Sequence, residues 1–213
     1  MKTTKNRLLY ALPLIIGFNI FVHLSLMAEE ILPHALVQQA TINTHLGPIE
    51  IELNGDDAPN TVANFIRYIK AGAFKNGQFY RVVRLDNDNG FPKIEVVQGG
   101  SNKTFRDFAA IQLETTKQTG IKHLDGVLSM ARGEPNTATS EFFIVIGAQP
   151  SLDFGGKRNP DGQGFAAFGR VTKGMDIVKK IHQIRKAQQV EDDYVTGQIL
   201  AEPVAITNIR LKK

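Results

Sequence analysis

Hydrophobic positions along this chain fall into three patterns: one long unbroken run, several stretches of alternation, and two stretches at helical spacing. The unbroken run covers residues 8–28; Lys2, Lys5 and Arg7 precede it and Glu29-Glu30 close it. It has no polar face, which disfavours a packed helix, and a basic start before an apolar stretch is the pattern of an export segment. Cutting after Ala28 puts Leu26 at the third position back, where a small residue is preferred. Two outcomes stay open: a cleaved signal peptide, or an uncleaved N-terminal membrane anchor. Pro13, Gly17, Asn19 and His23 make the stretch a poor permanent span. Either way, the positive-inside rule keeps the N-terminus cytoplasmic and sends the remainder across.

Alternation marks the strands. Residues 38–44 and 48–53 read as a pair joined at Leu46-Gly47-Pro48; Ile49, Ile51 and Leu53 alternate with Glu50 and Glu52. Further strands are predicted at 79–85, 94–98, 126–131, 141–146, 168–171 and 204–211. The polar turn Asp86-Asn87-Asp88-Asn89-Gly90 and a Gly-rich loop over 153–164 lie between them. Residues 187–201 are polar and ambiguous.

Helical spacing appears twice. Val62, Phe65, Ile66 and Ile69 predict a helix over about 61–71, with Asn60 as cap and Gly72 as its end. Ile177, Val178, Ile181 and Ile184 predict a second over 175–186. Many short strands with two helices imply a mainly antiparallel β fold, a barrel, in one domain. The organisation is therefore an export segment (1–28), a linker (29–36) and one folded domain (37–213).

Charge changes little once the export segment is set aside. The whole chain carries a net charge of +4, but removing the first three bases leaves 22 bases against 21 acids. No basic patch remains to suggest a nucleic-acid partner. Cys is absent from the chain, so disulfides, thiolate metal sites and Cys nucleophiles are excluded. The five His, at 23, 34, 45, 123 and 182, show no metal-ligand spacing. His123 reads as a structural turn residue. Gly155-Gly156-Lys157-Arg158 lacks the phosphate-cradle pattern, and no nucleophile–base arrangement is read. No metal and no cofactor is expected.

What remains is a set of specific strings: Phe79-Tyr80-Arg81-Val82-Val83, Val96-Val97-Gln98-Gly99-Gly100, Leu128-Ser129-Met130-Ala131-Arg132 and Ala138-Thr139-Ser140-Glu141-Phe142-Phe143-Ile144. Taken alone, Arg81 could snorkel from a sheet and Phe143 could be ordinary core. In this order, together with Asp57-Ala58-Pro59, Thr61-Val62, Asn64-Phe65, Phe168-Gly169-Arg170-Val171 and Gly174-Met175-Asp176, the strings resemble the cyclophilin family of peptidyl-prolyl cis–trans isomerases. The likeness runs from about Ala40 to the C-terminus.

That resemblance implies a closed, antiparallel eight-stranded β-barrel capped by two α-helices. Read together with the basic-then-apolar N-terminal segment, it implies an exported bacterial isomerase, periplasmic or anchored to the inner membrane facing the periplasm, that acts on proline-containing polypeptides. A monomer is expected, touching membrane only through an uncleaved N-terminal segment. Arg81 would donate to the prolyl nitrogen as amide resonance is lost, and Gln98 would orient it and hold the peptide. Phe143 and Leu152 would line the proline pocket beside Val96. Ala131 and Arg132 would contact residues before the proline, with Glu141 and Phe165 also at the substrate. Some positions depart from the family. Glu95 stands where a pocket Phe is usual and could pair with Arg81 or Arg132; Glu141 replaces a Gln; Ser151 replaces an aromatic; Phe165 replaces a His. Glu95, Glu141 and Ser151 motivate an alternative, a proline-segment-binding scaffold or chaperone with little turnover.

Overall fold

The computed structural model describes residues 37–212; the export segment and linker assigned to 1–36 lie outside them. Eight strands form a closed antiparallel barrel: β1 (Val37–Thr44), β2 (Gly47–Asn54), β3 (Gly77–Val83), β4 (Val96–Gly100), β5 (Val127–Met130), β6 (Phe142–Val145), β7 (Ala166–Lys173) and β8 (Ile199–Leu211). Round the barrel the order is β1-β2-β7-β5-β6-β4-β3-β8. Closure leaves no free sheet edge. Three helices join the strands: α1 (Pro59–Lys70), the single-turn α2 (Thr116–Thr119) and α3 (Met175–His182). The expectation of an eight-stranded barrel with two capping helices is met, with α2 as an unforeseen addition. It forms because Thr115 and Gln118 make a capping box.

The strands divide by what lies on each face. In β2, Ile49, Ile51 and Leu53 face the core while Glu50 and Glu52 face outward to Lys212 and Arg170. β6 is apolar on both faces, and so is β4 apart from Gln98. Val97, Phe142 and Ile144 enter the barrel core; Val96, Phe143 and Val145 join a second cluster outside it, with Val83, Ile94 and Leu152. A strand buried on both faces shows no alternation in its sequence, and that is why 141–146 reads as a plain apolar run.

Inside the barrel, α1 contributes Val62, Phe65 and Tyr68, and α3 contributes Ile177, Val178 and Ile181. Phe65 is central, with ring centroids 5.1 Å from Phe74, 5.3 Å from Phe142 and 5.1 Å from Phe168. Tilted and edge-on aromatic contacts of this kind add stability beyond area burial.

Element ends differ from the sequence expectation for local reasons. Asn60 does not cap α1: it lies within the first turn, behind Pro59. The Glu114 carboxylate caps from outside, accepting from the backbone N–H of Asn60 (3.0 Å) and Thr61 (2.8 Å) and from the Thr61 hydroxyl (2.6 Å). Helix α3 stops at His182 because Arg84 captures the Ile184 carbonyl (2.9 Å) and Ala187 pairs with Leu200. Strand β3 ends at Val83 because Asn87 accepts the Arg84 N–H at 2.7 Å. The ambiguous 187–201 segment becomes a bridge, a short 3-10 turn (Asp193–Val195) and the first residues of a long β8.

Removing the Glu114 carboxylate leaves two N-terminal N–H groups of α1 without a protein acceptor. Glu114→Ala is expected to cost about 1–2 kcal/mol, in the range of a lost helix cap. Urea denaturation measures it; an unchanged midpoint would show that the contact does not hold the helix.

Candidate active site

Register assembles the site. Across the outer face of the barrel wall, Arg81 on β3 pairs with Gln98 on β4, Gln98 with Phe143 on β6, and Phe143 with Ser129 on β5. Four residues from four separate strings thus form one continuous row. A bulge at Tyr80 offsets Arg81 from Phe79, so that Phe79 points into the core while Arg81 stands in the row.

The Arg81 guanidinium is held by amides. Nε and Nη2 donate to Gln198 Oε1 at 2.9 and 2.6 Å, and Nη1 donates to Gln98 Oε1 at 3.1 Å. Gln198 is fully buried, and its own Nε2 donates to the carbonyls of Asn87 and Tyr194. Three of the five N–H donors of the guanidinium are engaged, which leaves two for a ligand. Gln98 is fixed in turn by donating to Tyr80 Oη (2.7 Å) and Glu141 Oε2 (3.0 Å). Tyr80 also donates to Glu141. Burial, with the Glu141 carboxylate beside it, pushes the Tyr80 phenol far above its ordinary value, so it stays a proton donor.

Beside the row lies a cavity of about 130 Å³. Val83, Ile94, Val96, Ala131, Phe143, Leu152 and Phe165 give it apolar walls, and Arg81, Gln98, Arg132, Arg158, Asn159 and Tyr194 complete its lining. Phe165 stands edge-on to Phe143, with centroids 5.4 Å apart. A larger groove of about 460 Å³ runs along the outside of α1, but none of the row residues reaches it.

Seven residues expected at the site therefore converge on one cavity with Arg81: Gln98, Val96, Ala131, Arg132, Phe143, Leu152 and Phe165. Arg132 plays a different part from the one expected. All its donors are spent, on Gly164 O, Gly133 O and a bidentate pair with Asp161 at 2.8 and 3.0 Å. Its side chain is 1% exposed and lies over the Phe165 ring at 5.3 Å. It braces the wall and has no hydrogen left for a peptide.

Glu141 sits beside the row, bonded to Gln98, in the adjoining groove with Gln78, Ser101 and Lys103. Glu95 is not in the cleft at all. Ile94, Val96 and Gln98 take the outer face by period two, so Glu95 falls on the other, with a carboxylate oxygen 3.9 Å from His182 Nε2. It pairs with neither Arg81 nor Arg132, and Ile94 occupies the cleft in its place.

Four contributors escape sequence reasoning: Ile94, Gln198, Tyr194 and the Arg158–Asp88 pair. Arg158 donates to Asp88 Oδ2 and Oδ1 at 2.7 and 2.8 Å, and to Tyr194 Oη at 2.9 Å. Burial alone would raise the Asp88 carboxyl. The Arg158 guanidinium and the N–H groups of Gly90 and Ile94 outweigh that and hold it below the usual carboxylate range. This pair ties the 85–93 loop to the Gly-rich loop.

A Ser–His–Asp array also emerges where none was read. His123 Nδ1 lies 2.8 Å from Asp153 Oδ1, and Nε2 lies 2.9 Å from Ser129 Oγ. Ser129 and His123 are buried, and the Phe143 ring stacks on the imidazole at 6.1 Å. With no access for a substrate carbonyl, the array acts as a brace behind the cavity.

The comparisons with known proteins bear on the family and the fold. Residues 39–210 match the model described as "Cyclophilin type peptidyl-prolyl cis-trans isomerase/CLD". The chain belongs to the cyclophilin family. Among cyclophilin relatives, Peptidyl-prolyl cis-trans isomerase B of Escherichia coli is 32% identical, the alignment covering 78% of this chain and 98% of that protein. Peptidyl-prolyl cis-trans isomerase A of Dickeya dadantii is 31% identical over 82% of this chain and 87% of its own length. Among solved structures, a Cryptosporidium parvum cyclophilin type isomerase crystallised in the presence of the dipeptide ala-pro superposes with a TM-score of 0.62 at 20% identity. That match covers 83% of this chain and 99% of that one, and it supports the cyclophilin fold.

The Asp88–Arg158 pair sets a pH dependence. A carboxyl held below its unfolded value of about 3.9 stabilises the folded state above that pH, and the contribution fades as pH falls through the lower folded value. Wild-type stability is expected to drop below about pH 4. Asp88→Asn should lose about 3–5 kcal/mol at pH 7, as when one partner of a buried pair is removed, and should then fall less steeply in acid. Thermal melts from pH 3 to 7 test this; parallel curves for the two proteins would refute it.

Proposed function

We propose that this protein is a peptidyl-prolyl cis–trans isomerase that assists the folding of exported polypeptides. The observation that carries the reading is Arg81: a cation held by neutral amides, with two N–H donors unspent, beside an apolar cavity of about 130 Å³.

Rotation about an X–Pro bond needs no nucleophile and no net proton transfer. Its barrier is the loss of amide resonance, and uncatalysed exchange takes roughly tens to hundreds of seconds. As the amide twists, its lone pair localises on the prolyl nitrogen, which then becomes an acceptor. Phe143, Leu152, Val96 and Phe165 would seat the ring by burial, and Arg81 would donate to that nitrogen. Because the nitrogen accepts well only when twisted, the bond is stronger in the transition state than in the ground state and lowers the barrier. Gln98 and Gln198 position the guanidinium before the substrate arrives. The scaffold alternative drew on Glu95, Glu141 and Ser151, and the position of Glu95 beside His182 removes the first of these three motives.

An isomerisation assay on a proline peptide tests the activity. Arg81→Ala is expected to lower kcat/KM by about 100- to 1000-fold, the range for removing a preorganised transition-state donor. Gln198→Leu should lower kcat with a smaller change in KM. Equal rates for wild type and Arg81→Ala would overturn the reading.

The export assignment is supported by Lys2, Lys5 and Arg7 ahead of the apolar 8–28 stretch. Expression of the full chain in a bacterium, followed by mass measurement of the N-terminus, tests it. The expected product begins at Glu29 in the periplasm, or stays intact in the membrane fraction. An intact chain in the cytosolic fraction would count against export.

A further inference from the structure

The cavity holds little more than a proline ring, since pockets that enclose a whole small ligand run to about 300–1,000 Å³. The residues on either side of the proline must therefore lie across the cavity's rim. One side of that rim is built by two loops absent from the barrel itself, residues 85–93 and 187–198.

These loops are rigidly joined. Asn89 Nδ2 donates to the carbonyls of Asp193 (3.0 Å) and Thr196 (3.0 Å). Arg158 bonds Asp88 on the first loop, the Pro92 carbonyl at 2.9 Å, and Tyr194 on the second. Gly90 packs against the same guanidinium so closely that a Cβ there would stand 2.4 Å from Nη1. Phe91 is thus fixed between two residues that pack on a cavity-lining cation, yet the residue is 85% exposed. Tyr194 lines the cavity, lies over Arg81 at 5.4 Å and Arg158 at 5.6 Å, and keeps 47% of its surface exposed.

A lone exposed apolar residue is ordinary on a globular domain; what marks Phe91 is its place on a pinned loop whose flanking residues, Gly90 and Pro92, both contact the cavity-lining Arg158. We propose that Phe91 and Tyr194 form a subsite for an apolar or aromatic side chain of the substrate polypeptide, next to its proline. The occupant follows from continuity: Tyr194 belongs both to the proline cavity and to the rim, so a chain leaving the cavity on that side meets it first. Selection for apolar neighbours suits clients that are still unfolded and expose such residues. The inference rests on the proline-cleft reading and extends it to the residues that flank the proline.

Two capped peptides sharing an Ala-Pro core test it, one with Phe and the other with Ser at the positions flanking that core. Calorimetry on the full-length protein is expected to give about tenfold tighter binding of the Phe peptide, the order expected from partly burying one aromatic ring. Phe91→Ser should reduce that ratio to about twofold, and Phe91→Leu should restore most of it. Circular dichroism confirms that each variant is folded. Equal affinities of the wild type for both peptides, or a ratio unchanged in Phe91→Ser, would overturn the subsite. Isomerisation of the Ser peptide by wild type against Arg81→Ala reports separately on the underlying activity. A shrinking affinity ratio without rate acceleration would keep the subsite and reject the isomerase.

Discussion

A guanidinium is useful in this cleft only if it is fixed in place without being neutralised. A carboxylate partner would fix Arg81 well, but it would also engage the donors that the twisted amide needs and offset their charge. The structure meets the constraint with two glutamines. Gln198 and Gln98 present amide oxygens, strong enough to orient the fork and uncharged, so the positive field still reaches the cavity. Each glutamine is itself anchored, Gln198 by the Asn87 and Tyr194 carbonyls and Gln98 by Tyr80 and Glu141. The nearest acid in this network, Glu141, is thereby kept one residue away from the guanidinium. Its charge is absorbed by a phenol and an amide.

The second requirement is a wall that serves two interiors. β4 and β6 carry Val97, Phe142 and Ile144 into the barrel and Val96, Phe143 and Val145 into the cleft cluster. Because a closed barrel fixes its register, a side chain on the outer face is located as rigidly as one in the core. The cleft inherits that rigidity without any loop having to supply it. Loops then add what the wall lacks: Leu152 and Phe165 close the ring pocket, and the Asp88–Arg158 pair pins the remaining rim. Arg132 shows the same logic, since its charge is wholly consumed in holding Asp161 and Gly164 against Phe165.

The barrel strands and both long helices were legible because each carries its periodicity locally, as in Ile49, Ile51 and Leu53 or in Val62, Phe65 and Ile69. The row Arg81–Gln98–Phe143 was legible through motif resemblance, as each string is short and contiguous. What could not be read depends on contacts between distant segments. Gln198 lies 117 residues from Arg81, in a polar stretch with no pattern of its own. Glu114 caps a helix 53 residues earlier than itself. Glu95 is instructive in the other direction. Once Gln98 is placed in the cleft, strand alternation alone puts Ile94 and Val96 beside it and Glu95 behind, so the physical period was a better guide than position-by-position matching.

The Ser129–His123–Asp153 array shows why function has to be argued from access as well as from constellation. Its distances, 2.8 and 2.9 Å, would suit a nucleophile and its base. Yet a nucleophile must meet an electrophile, and Ser129 is fully buried, next to Phe143 in the row. Burial also raises the cost of leaving any of these polar groups unpaired, so the three satisfy one another. Burial would push the Asp153 carboxyl up, but hydrogen bonds from the His123 side chain and backbone overcome this and hold it low. The carboxylate thus fixes the imidazole, the imidazole backs the Phe143 ring, and that ring forms the floor on which a proline would sit. The same three residue types that cut amides elsewhere here keep a surface still, while the reaction proposed for this cleft breaks no bond at all.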